Sequence, residues 1–162
     1  MAAAMPFRPL LCALLVLLVS PAGAVRAQQP QASVDPARSM QLFDQLTAAP
    51  VREARRTLPQ ARQRYQAGLQ PGETFYLITR LVDPDGKFEQ VWVQVSQWEG
   101  SYVQGTIARP LETVQSFTQG QPLEFPTSAV LDWALVRANG VEEGNYVGKF
   151  LDIQHHLDAL DR

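Results

Sequence analysis

The side chains best suited to chemistry in this sequence are a few carboxylates and a row of indoles and amides. Asp132 stands beside Trp133, and an apolar neighbour of that kind can raise a carboxyl's pKa and fit it for acid catalysis. Glu124 is the second acid that could join it. Glycoside hydrolysis needs such a pair about 5 to 9.5 Å apart. A plainer role competes for Asp132: capping a turn or accepting from a backbone N–H. The two histidines, His155 and His156, are adjacent near the C-terminal end, so a serine–histidine–acid arrangement finds no histidine in the body of the chain. Asp152 with His156, and His155 with Asp158, have the spacing to chelate a divalent ion on a helix. Pairs of this kind usually lie on a solvated face, and no metal or other cofactor is expected. Gly-x-Ser-x-Gly elbows, phosphate loops and dinucleotide fingerprints are absent.

The indoles and amides sit in Lys87 to Trp98. Read as a strand, this segment turns Val91, Val93 and Val95 to one face and Phe88, Gln90, Trp92, Gln94, Ser96 and Trp98 to the other. The valines belong in a core. The second face mixes aromatic area with orienting amides, as a ligand platform or a half-exposed sheet surface would. Glu99-Gly100-Ser101 turns the chain back. A three-residue loop would pair Tyr102 with Trp98, and a two-residue loop would instead put Val103, Gly105 and Ile107 on the tryptophan face. The candidate binding residues are therefore Trp92, Trp98, Gln90, Gln94 and Tyr102.

These residues need a scaffold, and the pattern predicts one. Asp35-Pro36 is a helix start. Helical spacing of Met40, Phe43 and Leu46, then of Ala54 and Leu58, predicts a helical arm over residues 35–68, interrupted near Pro50 and Pro59 and ended by Gly68. From Glu73 the period becomes strand-like, with turns at Asp83-Pro84-Asp85-Gly86, Gln119-Gly120-Gln121 and Asn139-Gly140. An antiparallel β domain over 69–154 follows, its last strand Tyr146 to Ile153, and then a short tail, 155–162. The expected fold is α+β: N-terminal helices packed on a curved antiparallel sheet in a single small domain.

The first 27 residues read as an address. Arg8 precedes an apolar run, Leu10 to Val19, which Ser20-Pro21 breaks before small residues. That is the layout of a secretory signal peptide, with cleavage after Ala27 or, alternatively, after Ala24. The run is too short to remain as a membrane anchor, so no stable membrane insertion is expected after cleavage. Residues 28–34 form a polar leader. The only cysteine, Cys12, lies in the apolar run, so the exported form would be held by its core alone. From residue 28 onward twelve bases meet sixteen acids, a net charge of −4. Residues 28–72 carry six bases against three acids, and 73–162 six against thirteen. A basic arm that packs on its own acidic body accounts for this asymmetry. The arm lacks the interleaved aromatics that stack bases, so nucleic acid is not an expected partner.

Several short motifs occur in a recognisable order: Ala54-Arg55-Arg56-Thr57-Leu58-Pro59, Glu89-Gln90-Val91-Trp92-Val93, Gly105-Thr106-Ile107 with Pro110, Asp132-Trp133, and the Gly140 to Gly144 turn before Tyr146. In this the chain resembles the YegJ-like family of small bacterial proteins, a domain of unknown function, over roughly Ala54 to Leu151. The resemblance implies a compact domain with a helix followed by antiparallel strands, and it brings no catalytic residue. The sequence departs from that pattern at three positions. Gln90 replaces a histidine, Arg109 an acidic or amide residue, and Asn145 the second of two glycines.

The expectation is an exported, periplasmic or secreted, non-catalytic binding module for a protein or peptide ligand. The alternative is a small carboxylate-dependent hydrolase built on Asp132 and Glu124.

Overall fold

The computed structural model of the protein describes residues 35–161. The expected signal peptide and leader lie outside the described residues. Helix α1 spans Pro36–Gln66. Asp35 caps it by accepting from the Ala37 N–H at 3.0 Å, and Pro36 opens it. The breaks expected at Pro50 and Pro59 do not occur, and one helix runs through both. A proline inside a helix forfeits one hydrogen bond, at a cost of about 3 kcal/mol. Packing keeps the helix whole here: Pro50, Ala54 and Ala61 are buried along one stripe, and Leu58 and Tyr65 pack beside them.

Strands β1 (Thr74–Val82), β2 (Phe88–Glu99), β3 (Tyr102–Ile107), β4 (Pro122–Pro126), β5 (Asp132–Val136) and β6 (Glu142–Gly144) form an antiparallel open sheet in the order β4-β3-β2-β1-β5-β6. The chain folds as α+β, a single small domain. A correction concerns the last element. Tyr146 to Ile153 was expected as a strand, but the chain forms helix α2, Tyr146–Leu160. The two helices therefore come from opposite ends of the domain, and the tail boundary expected at residue 155 falls inside α2. The aromatic and β-branched content suggested a strand. The burial follows helical spacing instead: Val147 is buried, and Phe150, Leu151 and Gln154 are partly so. No helix among the described residues is long and apolar enough to cross a membrane.

The sheet has two unlike faces. Toward α1 it turns Phe75, Leu77, Leu81, Val91, Val93, Val95, Trp98, Val103, Ile107, Trp133 and Leu135, which make the main core with Ala54 and Ala61. Thr57 joins the layers, because its hydroxyl accepts from the Trp133 indole N–H at 2.9 Å. Three arginines of the basic arm reach the body, two through backbone carbonyls and one through carboxylates. Arg55 Nε donates to the Val130 carbonyl at 3.1 Å, Arg62 to the Gly100 carbonyl at 2.8 Å, and Arg64 pairs with Glu73 and Glu143 at 3.0 and 2.5 Å. On the other face Ile78, Ala134 and Val147 close a smaller buried cluster under α2.

Candidate functional site

The expected tryptophan face does not hold together. Trp92 and Trp98 are both at even positions of β2, but the register shifts between Val95 and Gln97. This β-bulge turns Trp98 to the α1 side. Trp98 is 5% exposed, sits among Tyr65 and Phe75, and donates its indole N–H to the Thr127 hydroxyl at 3.1 Å. It is a core residue. The loop holds two residues, Gly100 and Ser101, and pairs Glu99 with Tyr102 and Trp98 with Val103. Tyr102 is exposed at that hairpin end and does not join Trp92. Gln94 stays on the Trp92 side, exposed between Tyr76 and Thr106.

Trp92 and Gln90 line a cleft of about 150 Å³ with Ile78, Arg109, Asp132, Asn145, Val147, Gly148 and Asp152. A second hollow, about 220 Å³, shares Gln90, Trp92 and Arg109 and continues past Pro110, Leu111, Glu89 and Glu112. Between them the Arg109 guanidinium stacks on the Trp92 ring, 3.5 Å from its centroid. Backbone geometry places it there. Ala108 N–H donates to the Trp92 carbonyl at 2.8 Å, so the next residue lies over the indole. Tyr76 supports the ring edge-on from β1.

Three donors of this cleft have no partner among the described residues, and the exposed Asp152 carboxylate stands at its rim. Gln90 Nε2 is out of solvent and has no partner among the described residues. Among the described residues Arg109 forms no ion pair within 4.0 Å. The Trp98 and Trp133 indoles donate to Thr127 and Thr57, whereas that of Trp92 donates to no described protein group. The Asp132 and Glu89 acceptors are engaged. Asp132, 1% exposed, accepts from Trp133 N–H at 2.8 Å and from Val147 N–H at 2.7 Å. From β5 it caps the N-terminus of α2, in place of Asn145, whose own side chain makes no cap hydrogen bond. Burial pushes the Asp132 carboxyl up to about 6, against the lowering pull of the Val147 and Trp133 N–H groups and of Lys149. Glu89 accepts from the N–H groups of Glu112, Thr113 and Val114 and so pins the loop after Arg109.

Asp132 and Glu124 do not meet, and the second acid in the Asp132 cleft is the exposed Asp152 of α2. Glu124 lies exposed on edge strand β4, accepting from Gln104 at 2.8 Å. Four strand spacings separate β4 from β5, so Asp132 is about 19 Å away across the sheet. Of the seven residues singled out from the sequence, Gln90, Trp92 and Asp132 meet in one place. Arg109 and Asn145 complete the cleft and were visible in the sequence only as departures from the YegJ-like pattern. Asn145 adopts the left-handed conformation, φ 54°, which suits the glycine it replaces.

Residues 48–154 match a family model described as "Uncharacterized protein conserved in bacteria (DUF2314)". No curated protein and no solved structure matches the chain.

Proposed function

The chain belongs to this family of uncharacterized proteins conserved in bacteria, and from that premise we propose that it is a non-catalytic binding module whose recognition surface is the cleft around Gln90, Trp92 and Arg109. The carrying observation is the concentration of unpartnered donors there: the Gln90 amide, the Trp92 indole and the Arg109 guanidinium. An unpaired polar atom withdrawn from water is costly, and a bound ligand supplies the missing acceptor. The aromatic ring adds contact area at low entropy cost. Asp132, with both oxygens committed to backbone N–H groups, holds α2 in place as one wall.

Within the family we propose that the chain is a YegJ-like member, a reading supported by the ordered motifs from Glu89-Gln90-Val91-Trp92-Val93 to Tyr146. Residues 1–27 act as a signal peptide and send it to the periplasm or beyond. Intact-mass measurement on exported protein checks this: a start at Gln28 or Val25 agrees, and a retained Met1 overturns it.

The binding reading is tested by NMR with a set of small carboxylates, amides, amines, phosphates and sugars. Bound fragments should shift the Trp92 indole N–H and the Gln90 side-chain amide, and leave those of Trp98 and Trp133 unmoved. If no fragment reaches the cleft, or all bind elsewhere, the reading is wrong.

A further inference from the structure

Resting on that reading of the cleft, we infer that the ligand presents a planar carboxylate to Gln90 and Arg109, borne by the free C-terminus of a peptide or by a small organic acid. The cleft offers the Gln90 amide, the Trp92 indole and the Arg109 cation, which forms no ion pair among the described residues. The two carboxylates nearest these donors are occupied, both oxygens of Asp132 by backbone N–H groups and Glu89 by three more, and the exposed Asp152 lies at the rim. The Asn145 amide nitrogen already donates to Glu142 at 2.8 Å. The complementary ligand group is therefore an acceptor with negative charge. A guanidinium held flat on an indole leaves its N–H edge free, and that fork matches the two oxygens of a carboxylate.

Two features select a carboxylate over a phosphate. The N-terminus of α2 borders the cleft and would otherwise suit a phosphate, but the Asp132 carboxylate already takes its Val147 N–H. Asp152 on α2 and Glu112 on the loop are exposed carboxylates at the rims of the two hollows. Lys149, the cation of α2, is turned to the Glu142 and Gly144 carbonyls. A dianion meets more repulsion there than a monoanion does. The cleft's volume of about 150 Å³ admits a carboxylate and a short stem.

The experiment titrates the purified protein at pH 7 with four probes: acetyl-dialanine as the free acid, the same peptide as its C-terminal amide, sodium acetate and inorganic phosphate. The readouts are the Trp92 indole and Gln90 amide NMR signals. The free acid, acetate or both should shift these signals, while the amide and phosphate bind at least about tenfold more weakly. Arg109→Gln should lower carboxylate affinity about tenfold or more. Arg52→Gln, the same loss of charge at an exposed helical position, should not. Binding by the free acid alone assigns the ligand to peptide termini, and binding by acetate alone assigns it to small acids. Equal binding of acid and amide, tighter binding of phosphate, or an equal effect of Arg52→Gln overturns the carboxylate. If the fragment set reaches the cleft only through other chemistries, the binding reading stands and this inference falls. If nothing reaches the cleft, both fall.

Discussion

Trp92 and Trp98 lie on one strand, and each has an arginine over its ring, Arg109 at 3.5 Å and Arg62 at 5.0 Å. Their surroundings differ in every other respect. Trp98 is packed among aromatic rings, its indole N–H is paired, and its arginine comes from α1, with one N–H fixed on the Gly100 carbonyl. Trp92 is half-buried, its indole N–H has no described protein partner, and its arginine comes from a loop. One bulge between them puts Trp98 in the core and leaves Trp92 at the cleft proposed for recognition. The difference teaches that residue type and spacing define a candidate, and that leftover hydrogen-bonding capacity decides which candidate can bind.

The largest expected effect separates the two tryptophans by stability. Trp98→Ala should cost about 3–5 kcal/mol, the usual range for deleting a core aromatic. Trp92→Ala should cost about 1 kcal/mol, since only part of its surface leaves water. Urea unfolding of both variants measures this. Similar losses would mean that Trp92 is also a packing residue. Trp133, 8% exposed and stacked on Phe75, should behave like Trp98, with Trp133→Ala again near 3–5 kcal/mol.

A second difference runs along the pH axis and belongs to the Trp92 side, where Asp132 is buried. Its carboxyl is raised from 3.8 to about 6, so the folded protein holds a proton that the unfolded chain releases. This contribution is fully present below about pH 3.8 and is lost as pH rises through about 6, a change of about 3 kcal/mol. Asp132→Asn cannot ionise, so the stability difference between wild type and variant should slope across that window. A parallel pair of pH profiles would show that Asp132 ionises as freely in the fold as out of it.

Much of this molecule is legible in its sequence, and the failures have physical causes. The β1–β2 turn, the inward valines of β2 and the Asp35-Pro36 start depend on local chemistry, and the structure has them where expected. Trp98 was assigned to the wrong face because alternation counts residues and a bulge adds one without a reliable residue signature. The composition of Tyr146 to Ile153 suits a strand, whereas Val147, Phe150, Leu151 and Gln154 recur at the helical spacing that the fold adopts. Pro50 and Pro59 mark breaks only when tertiary packing is too weak to override them. Arg109 was the hardest to find. Nothing near it in sequence announces the indole it covers, and the pairing of Ala108 with Trp92 that brings it there is a long-range contact.

The loop that carries Arg109 gives a smaller test of the comparison. Arg62 is held by a helix, whereas the Arg109 loop is held by the Glu89 carboxylate and its three backbone N–H partners. Glutamine keeps one acceptor oxygen and turns an N–H₂ group toward those donors. Glu89→Gln should cost about 1–2 kcal/mol. Amide exchange should quicken at Thr113 and Val114 while the core amides of Val93 and Val103 stay protected. Uniform acceleration would mean that the loop opens only with the whole domain.

The smallest expected effect concerns Glu124, the other acid that the sequence offered for chemistry. It differs from Asp132 in every property that would matter to a catalyst. It is exposed, lies on an edge strand bounded by Pro122 and Pro126, and bonds only Gln104. A surface hydrogen bond of this kind is worth little against competing water. Glu124→Gln keeps an acceptor for Gln104, so stability should change by less than about 0.5 kcal/mol. Carboxylate binding in the Trp92 cleft should not change at all, because β3, β2 and β1 lie between β4 and the Asp132 strand. The same titration used for Arg109→Gln reads this out. A Glu124→Gln variant that lost binding at the Trp92 indole would place the ligand across the sheet rather than in the cleft, and the division of labour between the two tryptophans would have to be redrawn.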